Sequence, residues 1–187
     1  MNKIKIVLIG AGSRSFGPST IRDVLLSEPL AERDLELVLM DKVAERLTEV
    51  EQYARFVALK TGRQASISAT TDLMAAIRGA NFVVTAVEVN RWLHWTQDYH
   101  IPRQYGFRQI FGENGGPGSL FHALRNMGPM VEIARAMEEL CPDAMLLNFT
   151  NPEHKICETI TRLTKVNAVG LCHGVFMGRR QLAHILQ

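Results

Sequence analysis

The sequence is poor in cysteine, in charge imbalance and in long apolar runs, and each shortage narrows what the protein can be. Cysteine occurs only as Cys141, Cys157 and Cys172, with no CxxC pair and no even framework that disulfides could close, which points to a reducing compartment. Lysine and arginine total 21 against 19 acidic residues, a formal net charge of +2, with no long basic run, so a dedicated nucleic-acid binder is not expected. No apolar stretch is long enough to cross a bilayer. The start, Met1-Asn2-Lys3-Ile4, leads directly into a strand pattern without the cleavage signature of a signal peptide. Internal repeats and low-complexity linkers are missing too. These shortages predict a cytoplasmic protein whose partners are neither nucleic acid nor membrane. Apolar material, by contrast, is plentiful: 47% of the 187 residues are hydrophobic. That suffices for the core of one ordinary domain and is short for a nucleotide domain plus a separate substrate domain.

The chain alternates strand and helix patterns. Lys3-Ile4-Lys5-Ile6-Val7-Leu8-Ile9 is a β-rich run ending at Gly10-Ala11-Gly12, and its apolar continuity suits a strand covered on both faces. Pro18 and Ser19 open a helix through Ile21, Val24 and Leu25, since proline is tolerated in a first helical turn. Leu35 to Met40 reads as a second strand with Asp41 at its carboxyl end. Val43, Leu47, Val50, Ala54, Val57 and Ala58 mark one face of a long amphipathic helix that Gly62 stops. Ser66 to Thr70 is expected as a short strand, Asp72 as the cap of a brief helix ending near Gly79, and Phe82 to Val87 as a buried strand. Glu88 to Ser119 is expected to be irregular and aromatic-rich, with Gly112, Gly115, Gly116 and Gly118 near its end. A helix over Leu120 to Leu140, a strand at Ala144 to Leu147, a helix opened by Asn151-Pro152, a strand at Val166 to Leu171 and a terminal helix complete the pattern. Such alternation predicts an α/β fold with a doubly wound, mostly parallel sheet.

Four motifs carry the chemistry. Gly10-Ala11-Gly12-Ser13-Arg14-Ser15 sits between a strand and a helix, where a dinucleotide fingerprint would: the first glycine permits a tight turn, and the second lets backbone amides approach a pyrophosphate. Ser15 stands where a third glycine is usual, so Phe16-Gly17-Pro18 must bring the helix in differently. Asp41 can accept hydrogen bonds from ribose hydroxyls and would repel a 2′-phosphate, favouring NAD over NADP. Its distance along the chain exceeds the usual ~20 residues, with Glu28 to Asp34 the natural place for the extra length. An ordinary βα turn with a surface aspartate is the bland alternative. Asn148-Phe149-Thr150-Asn151-Pro152 lies at a strand's carboxyl end, where such sheets bind ligands; the proline can aim Asn151 into the crevice, or an asparagine can simply cap a helix. In Gly170-Leu171-Cys172-His173-Gly174 a thiolate and an imidazole could ligate a divalent metal, although adjacent extended side chains point opposite ways. On the residues alone a buried structural cysteine is the better reading. Gly112-Glu113-Asn114-Gly115-Gly116-Pro117-Gly118 is a substrate or phosphate loop or merely a turn. The scattered His94, His100, His122, His154 and His184 read as structural or exposed.

In this order, the GxGS turn, Asp41, GENGGPGS, NFTNP and GLCHG resemble the amino-terminal part of glycoside hydrolase family 4, the NAD- and manganese-dependent glycosidases. The resemblance implies a Rossmann-like nucleotide domain similar to that of lactate and malate dehydrogenases. It implies NAD on Gly10, Gly12, Ser13, Arg14, Ser15, Phe16, Asp41 and Val87, and Mn2+ or another divalent transition metal on Cys172. Asn151, Asn114 and Arg91 would contact a small-molecule glycoside; Glu113 would protonate the leaving group, and His173 would lie in the active-site segment. The Cys-His pair is similar to that of the α-glucosidase, α-galactosidase and α-galacturonidase branches. The implied reaction is hydride removal from C3 of the sugar, deprotonation at C2, elimination of the aglycone, addition of water and return of the hydride, an exception to paired-carboxylate hydrolysis. The family's second metal ligand, its base and a carboxyl-terminal substrate and oligomerisation domain would lie beyond Gln187. Residues 1–187 are therefore expected to be the NAD-binding domain of a truncated enzyme that forms homo-oligomers when full length. A 2-hydroxyacid dehydrogenase of the lactate/malate type and a non-catalytic nucleotide-binding module are the alternatives.

Overall fold

The apolar run Lys3–Ile9 forms strand β1 at the centre of a six-stranded parallel sheet in the computed structural model, which describes residues 3–111, 113 and 115–186. The other strands are β2 (Asp34–Met40), β3 (Ala65–Thr70), β4 (Phe82–Thr85), β5 (Met145–Asn148) and β6 (Asn167–Gly170). Their order is β3-β2-β1-β4-β5-β6, every neighbouring pair parallel. The helices are α1 (Phe16–Leu25), α2 (Glu28–Ala31), α3 (Ala44–Thr61), α4 (Leu73–Ile77), α5 (Arg91–Gln104), α6 (Gly116–Leu140), α7 (Glu153–Leu163) and α8 (Gly174–Ile185). This is the Rossmann-like arrangement, and its topological switch point falls between β1 and β4, where ligands bind at the strands' carboxyl ends.

Strand pleating divides the core into two layers. Val7, Ile9, Val38, Met40, Val83 and Leu146 pack against Ile77, Met130, Ile133, Met137, Ile156 and Ile160 of α4, α6 and α7. Ile6, Leu8, Leu35, Leu37, Leu39 and Val84 face Ile21, Leu25, Leu47, Val50, Ala54 and Val57 of α1 and α3. Alternate residues of one strand thus serve opposite layers, which is why the central strands read as unbroken apolar runs. Asp72 accepts from the Ala75 amide at 3.1 Å and Gly62 ends α3, both as expected. The short helix α2 fills the insertion that lengthens the spacing to Asp41. No helix of the described residues is long and apolar enough to cross a membrane.

One expectation fails. Arg91–Gln104, inside the segment expected to be irregular, is a helix, and α6 starts at Gly116 rather than Leu120. Arg91–Gln104 carries no apolar stripe, because the residues it buries are Asp98 and Pro102. Periodicity detects a helix only when its inner face is apolar, and this one is held by polar contacts. Gly112 and Asn114 lie outside the described residues.

The two-layer core gives a direct test. Leu39→Ala, at a fully buried site beneath α1 and α3, is expected to lower unfolding stability by about 2–5 kcal/mol. Leu59→Ala, on the exposed side of α3, should stay within about 0.5 kcal/mol of the parent. Urea denaturation distinguishes the pair, and equal losses would contradict this layering.

Candidate active site

The first half of the site is the turn from β1 into α1. Gly10 has φ +85°, and a methyl group there would stand 2.4 Å from the Ala86 carbonyl oxygen, so the turn crosses the end of β4 at backbone contact distance. Only glycine combines that φ with that clearance. The Gly10 and Ala11 amides donate to the Met40 carbonyl at 2.9 and 3.1 Å, fastening the turn to the end of β2. Asp41 completes the fastening: its Oδ2 accepts from the Gly12 amide at 2.9 Å and its Oδ1 from the Val43 amide at 3.0 Å. Ser13 Oγ accepts from the Phe16 amide at 3.3 Å. Arg14 and Ser15 are exposed, and Val87 borders the Gly10 turn. The missing third glycine is supplied by Gly17. A methyl group there would come within 2.1 Å of the Ala11 carbonyl oxygen, so Gly17 provides the close helix–turn approach that Ser15 was expected to lack.

The second half gathers at the carboxyl ends of β4 and β5. Asn151 Nδ2 donates to Glu113 Oε1 at 3.3 Å, and Trp95 Nε1 donates to Glu113 Oε2 at 2.8 Å. Arg91 reaches Glu88 Oε2 with Nη1 at 3.4 Å and Glu113 Oε2 with Nη2 at 3.9 Å. Of the residues expected from sequence, Glu113, Arg91 and Asn151 therefore meet, and a cis peptide joins Asn151 to Pro152. Asn148 proves structural: fully buried, it accepts from Thr85 Oγ1 and the Thr150 amide and donates to the Thr150 carbonyl. The expected substrate residue Asn114 lies outside the described residues.

Glu88, Trp95 and Asn126 were not anticipated, and His122, read as structural or exposed, is buried beside them. Asn126 Nδ2 donates to Glu88 Oε1 at 3.0 Å and to the Asn151 carbonyl at 2.8 Å, while its Oδ1 accepts from the Val89 amide. His122 is fully buried, with Nε2 3.2 Å from Glu88 Oε2 and Nδ1 3.6 Å from Asp98 Oδ2. Both nitrogens stand at ion-pair distance but are poorly aligned for hydrogen bonds. Arg125 closes the far end by pairing with Asp98. Burial works to raise the Glu88 carboxyl, but the Asn126 amide, the His122 ring 3.2 Å away and the Arg91 guanidinium outweigh it, and the carboxyl titrates below its ordinary value. One signal could have revealed Glu88: an acid just past a central strand, beside the switch point.

The β6 end differs from expectation. Cys172 is exposed rather than a buried structural cysteine, since the chain leaves the sheet before it and its Sγ accepts from the Gly174 amide at 3.4 Å, at the start of α8. His173 is exposed beside it. Cys141 is buried and Cys157 half-buried, and burial pushes both thiols up. Among the described residues no group of three or more His, Cys, Asp and Glu side chains is placed to hold a metal ion. Cys172 thus offers a single soft donor, and these residues alone do not make a metal site. The Gly10–Gly17 turn, by contrast, fits a dinucleotide: its glycines allow the tight turn, and Arg14 and Ser15 are exposed at the amino end of α1.

Glu88 has a measurable consequence. A carboxylate whose folded pKa is lowered adds stability above its ordinary value near 4.5 and loses it as the pH falls through the folded pKa. Glu88→Gln is therefore expected to be less stable than the parent at pH 7, with the gap closing as the pH falls below the ordinary value of 4.5. Thermal unfolding across pH checks this; a gap that widens in acid would contradict it.

The profile described as Family 4 glycosyl hydrolase matches residues 5–187. An α-glucosidase of Erwinia rhapontici is 41% identical over 184 residues, covering 97% of this chain and 40% of that protein. An α-galactosidase of Bacillus subtilis (strain 168) is 35% identical over 172 residues, covering 91% and 39%. The chain thus spans about two fifths of the length of these relatives. The 6-phospho-β-glucosidase of Thermotoga maritima, solved with NAD and glucose-6-phosphate, shares the fold with a TM-score of 0.84 at 23% identity over 99% of this chain and 43% of its own. The malate dehydrogenase of Plasmodium falciparum shares it less closely, with a TM-score of 0.63 at 19% identity over 90% and 45%. The dehydrogenase likeness is one of fold, whereas the sequence match is to glycosidases along almost the whole chain: it belongs to family 4 of the glycosyl hydrolases.

Proposed function

We propose that residues 1–187 are the NAD-binding domain of a glycosidase that depends on NAD and on a divalent metal, manganese or another transition ion, and that cleaves α-glycosides. The observation that carries this reading is the contact between Gly10 and Ala86, which sets the glycine turn directly beside the segment leading to Glu88 and Arg91. A cofactor on one and a sugar on the other would be neighbours.

When bound, NAD supplies a hydride acceptor for C3 of the sugar. The chain's part is to hold and orient. The amides of Arg14 and Ser15, both exposed residues at the amino end of α1, would carry the pyrophosphate. Asp41 would take the ribose hydroxyls and exclude a 2′-phosphate, and Val87 would line the cofactor's path. On the sugar side, Asn151 offers an amide that Glu113 orients and Arg91 offers guanidinium donors; Asn114, outside the described residues, is assigned to the substrate as well. Glu113, aimed by Asn151 and Trp95, would hold or deliver the proton of the leaving group. His173 is assigned to the same segment as Cys172, and Cys172 to the metal as one ligand. Its other donors are not among the described residues. Support for α-glycosides comes from the names of the two relatives above, an α-glucosidase and an α-galactosidase. Exposed apolar residues on α5, on the first half of α6 and on α8 support homo-oligomers of the full-length protein, and a cytoplasmic location accords with the free thiols.

Calorimetric titration with NAD tests the cofactor half. Asp41→Asn is expected to weaken NAD roughly tenfold and to narrow the preference over NADP; a parent chain that takes up no NAD would sink the reading. For the full-length protein, α-glycoside turnover should require NAD and manganese and should cease on chelation. Turnover of a 2-hydroxyacid without metal would point to the dehydrogenase instead, and NAD binding with no chemistry on any sugar to a module.

A further inference from the structure

Among the described residues, Arg91 is the only arginine or lysine in ionic contact with Glu88 or Glu113: it hydrogen-bonds Glu88 at 3.4 Å and stands 3.9 Å from Glu113 without a hydrogen bond. The carboxylate side chains are only 19% and 18% exposed, against 46% for the guanidinium. Two negative charges therefore face one positive charge beside Asn151. Partial burial strengthens these interactions relative to water. A phosphate or carboxylate carried by a sugar would have to displace one of the two carboxylates from Arg91, or stand against both. A sugar hydroxyl meets no such conflict, because it can donate to a carboxylate and accept from the Asn151 amide.

Glu88 is not free to yield its place. Asn126 holds its Oε1 at 3.0 Å, and the fully buried His122 stands 3.2 Å from its Oε2, itself backed by Asp98 at 3.6 Å. The same contacts keep the carboxyl below its ordinary range, outweighing the burial that would raise it.

We propose that this crevice selects an uncharged glycoside over one bearing a phosphate or a uronate, and that Glu88 determines the choice by occupying Arg91. The proposal rests on the crevice being a sugar site and names the class of sugar it takes.

The test is a ligand-observed NMR titration of the full-length protein, loaded with NAD, with glucose, glucose 6-phosphate and glucuronic acid. The parent is expected to take glucose in preference to both anions. Glu88→Gln keeps the carbonyl that Asn126 bonds and frees one end of Arg91, so the anion-to-glucose ratio should rise about tenfold. Adding Arg91→Ala to that variant should abolish the gain. Should Glu88→Gln fail to fold, the salt dependence of the parent decides. Added salt screens repulsion and should leave glucose 6-phosphate binding no weaker, whereas salt-weakened binding would reveal an available cation. The proposal falls if the parent takes either anion as tightly as glucose, or if glucose binds and the ratio does not move in Glu88→Gln. A protein that takes up no NAD, or takes up NAD but no sugar, refutes the proposed function instead.

Discussion

The close approach of the Gly10 backbone to the Ala86 carbonyl is the constraint on which the rest of the site depends. At 2.4 Å from a would-be methyl group, it leaves room for no side chain at residue 10. It draws the turn after β1 against the chain leaving β4, so that the two flanks of the switch point meet. The parallel sheet beneath, with apolar residues on both faces, makes that meeting rigid. Asp41 and the Met40 carbonyl fix the turn from the β2 side. Gly17 then lets α1 start hard against the Ala11 carbonyl.

Beyond this contact, polar groups take over from apolar packing. Glu113 reaches the crevice from the loop before α6 and is held there by Trp95 of α5 and by Asn151 after β5. Asn126, from the middle of α6, ties Glu88 to the Asn151 backbone. Such a network specifies one arrangement only when its members are satisfied. Its weakest geometry is at His122, whose nitrogens are close to two carboxylates but poorly aligned with them. A buried ring between two acids is costly to maintain for packing alone, which is why its position behind Glu88 carries meaning.

How much could be read from sequence follows from the same division. Where apolar residues decide, the reading was nearly complete: β1 to β6, α1, α3, α4 and α7 fall where alternation and periodicity put them. Where polar residues decide, it failed. Helix α5 has Asp98 and Pro102 on its inner side and leaves no stripe to detect. Phe16-Gly17-Pro18 was named as the segment that must bring the helix in, but not the means: the physical requirement is a close approach, which Gly17 meets two residues past the usual place. Cys172 was expected inside and lies outside, since local pattern does not say where the sheet ends. Arg91, Glu113 and Asn151 were each named separately, and the fold showed that they touch. Glu88 went unnamed because its significance lies in its partners, which come from α5 and α6.

The strand order has a consequence for how the chain acquires its structure. The sheet grows outward from β1 in two directions, first through β2 to β3 and only afterwards through β4 to β6. During synthesis the first three strands and their helices can assemble while one edge of β1 still has unpaired amides and carbonyls, since its partner, Phe82–Thr85, has yet to emerge. Such an edge is a template for any other strand, including one from a neighbouring nascent chain. The apolar continuity that buries β1 so well in the finished sheet is thus also what makes the half-made one adhesive. The arrival of β4 covers that edge and brings in the Ala86 flank of the crevice, but it passes the open edge to β4 itself, which stays unpaired until Met145–Asn148 emerges with Asn151 close behind.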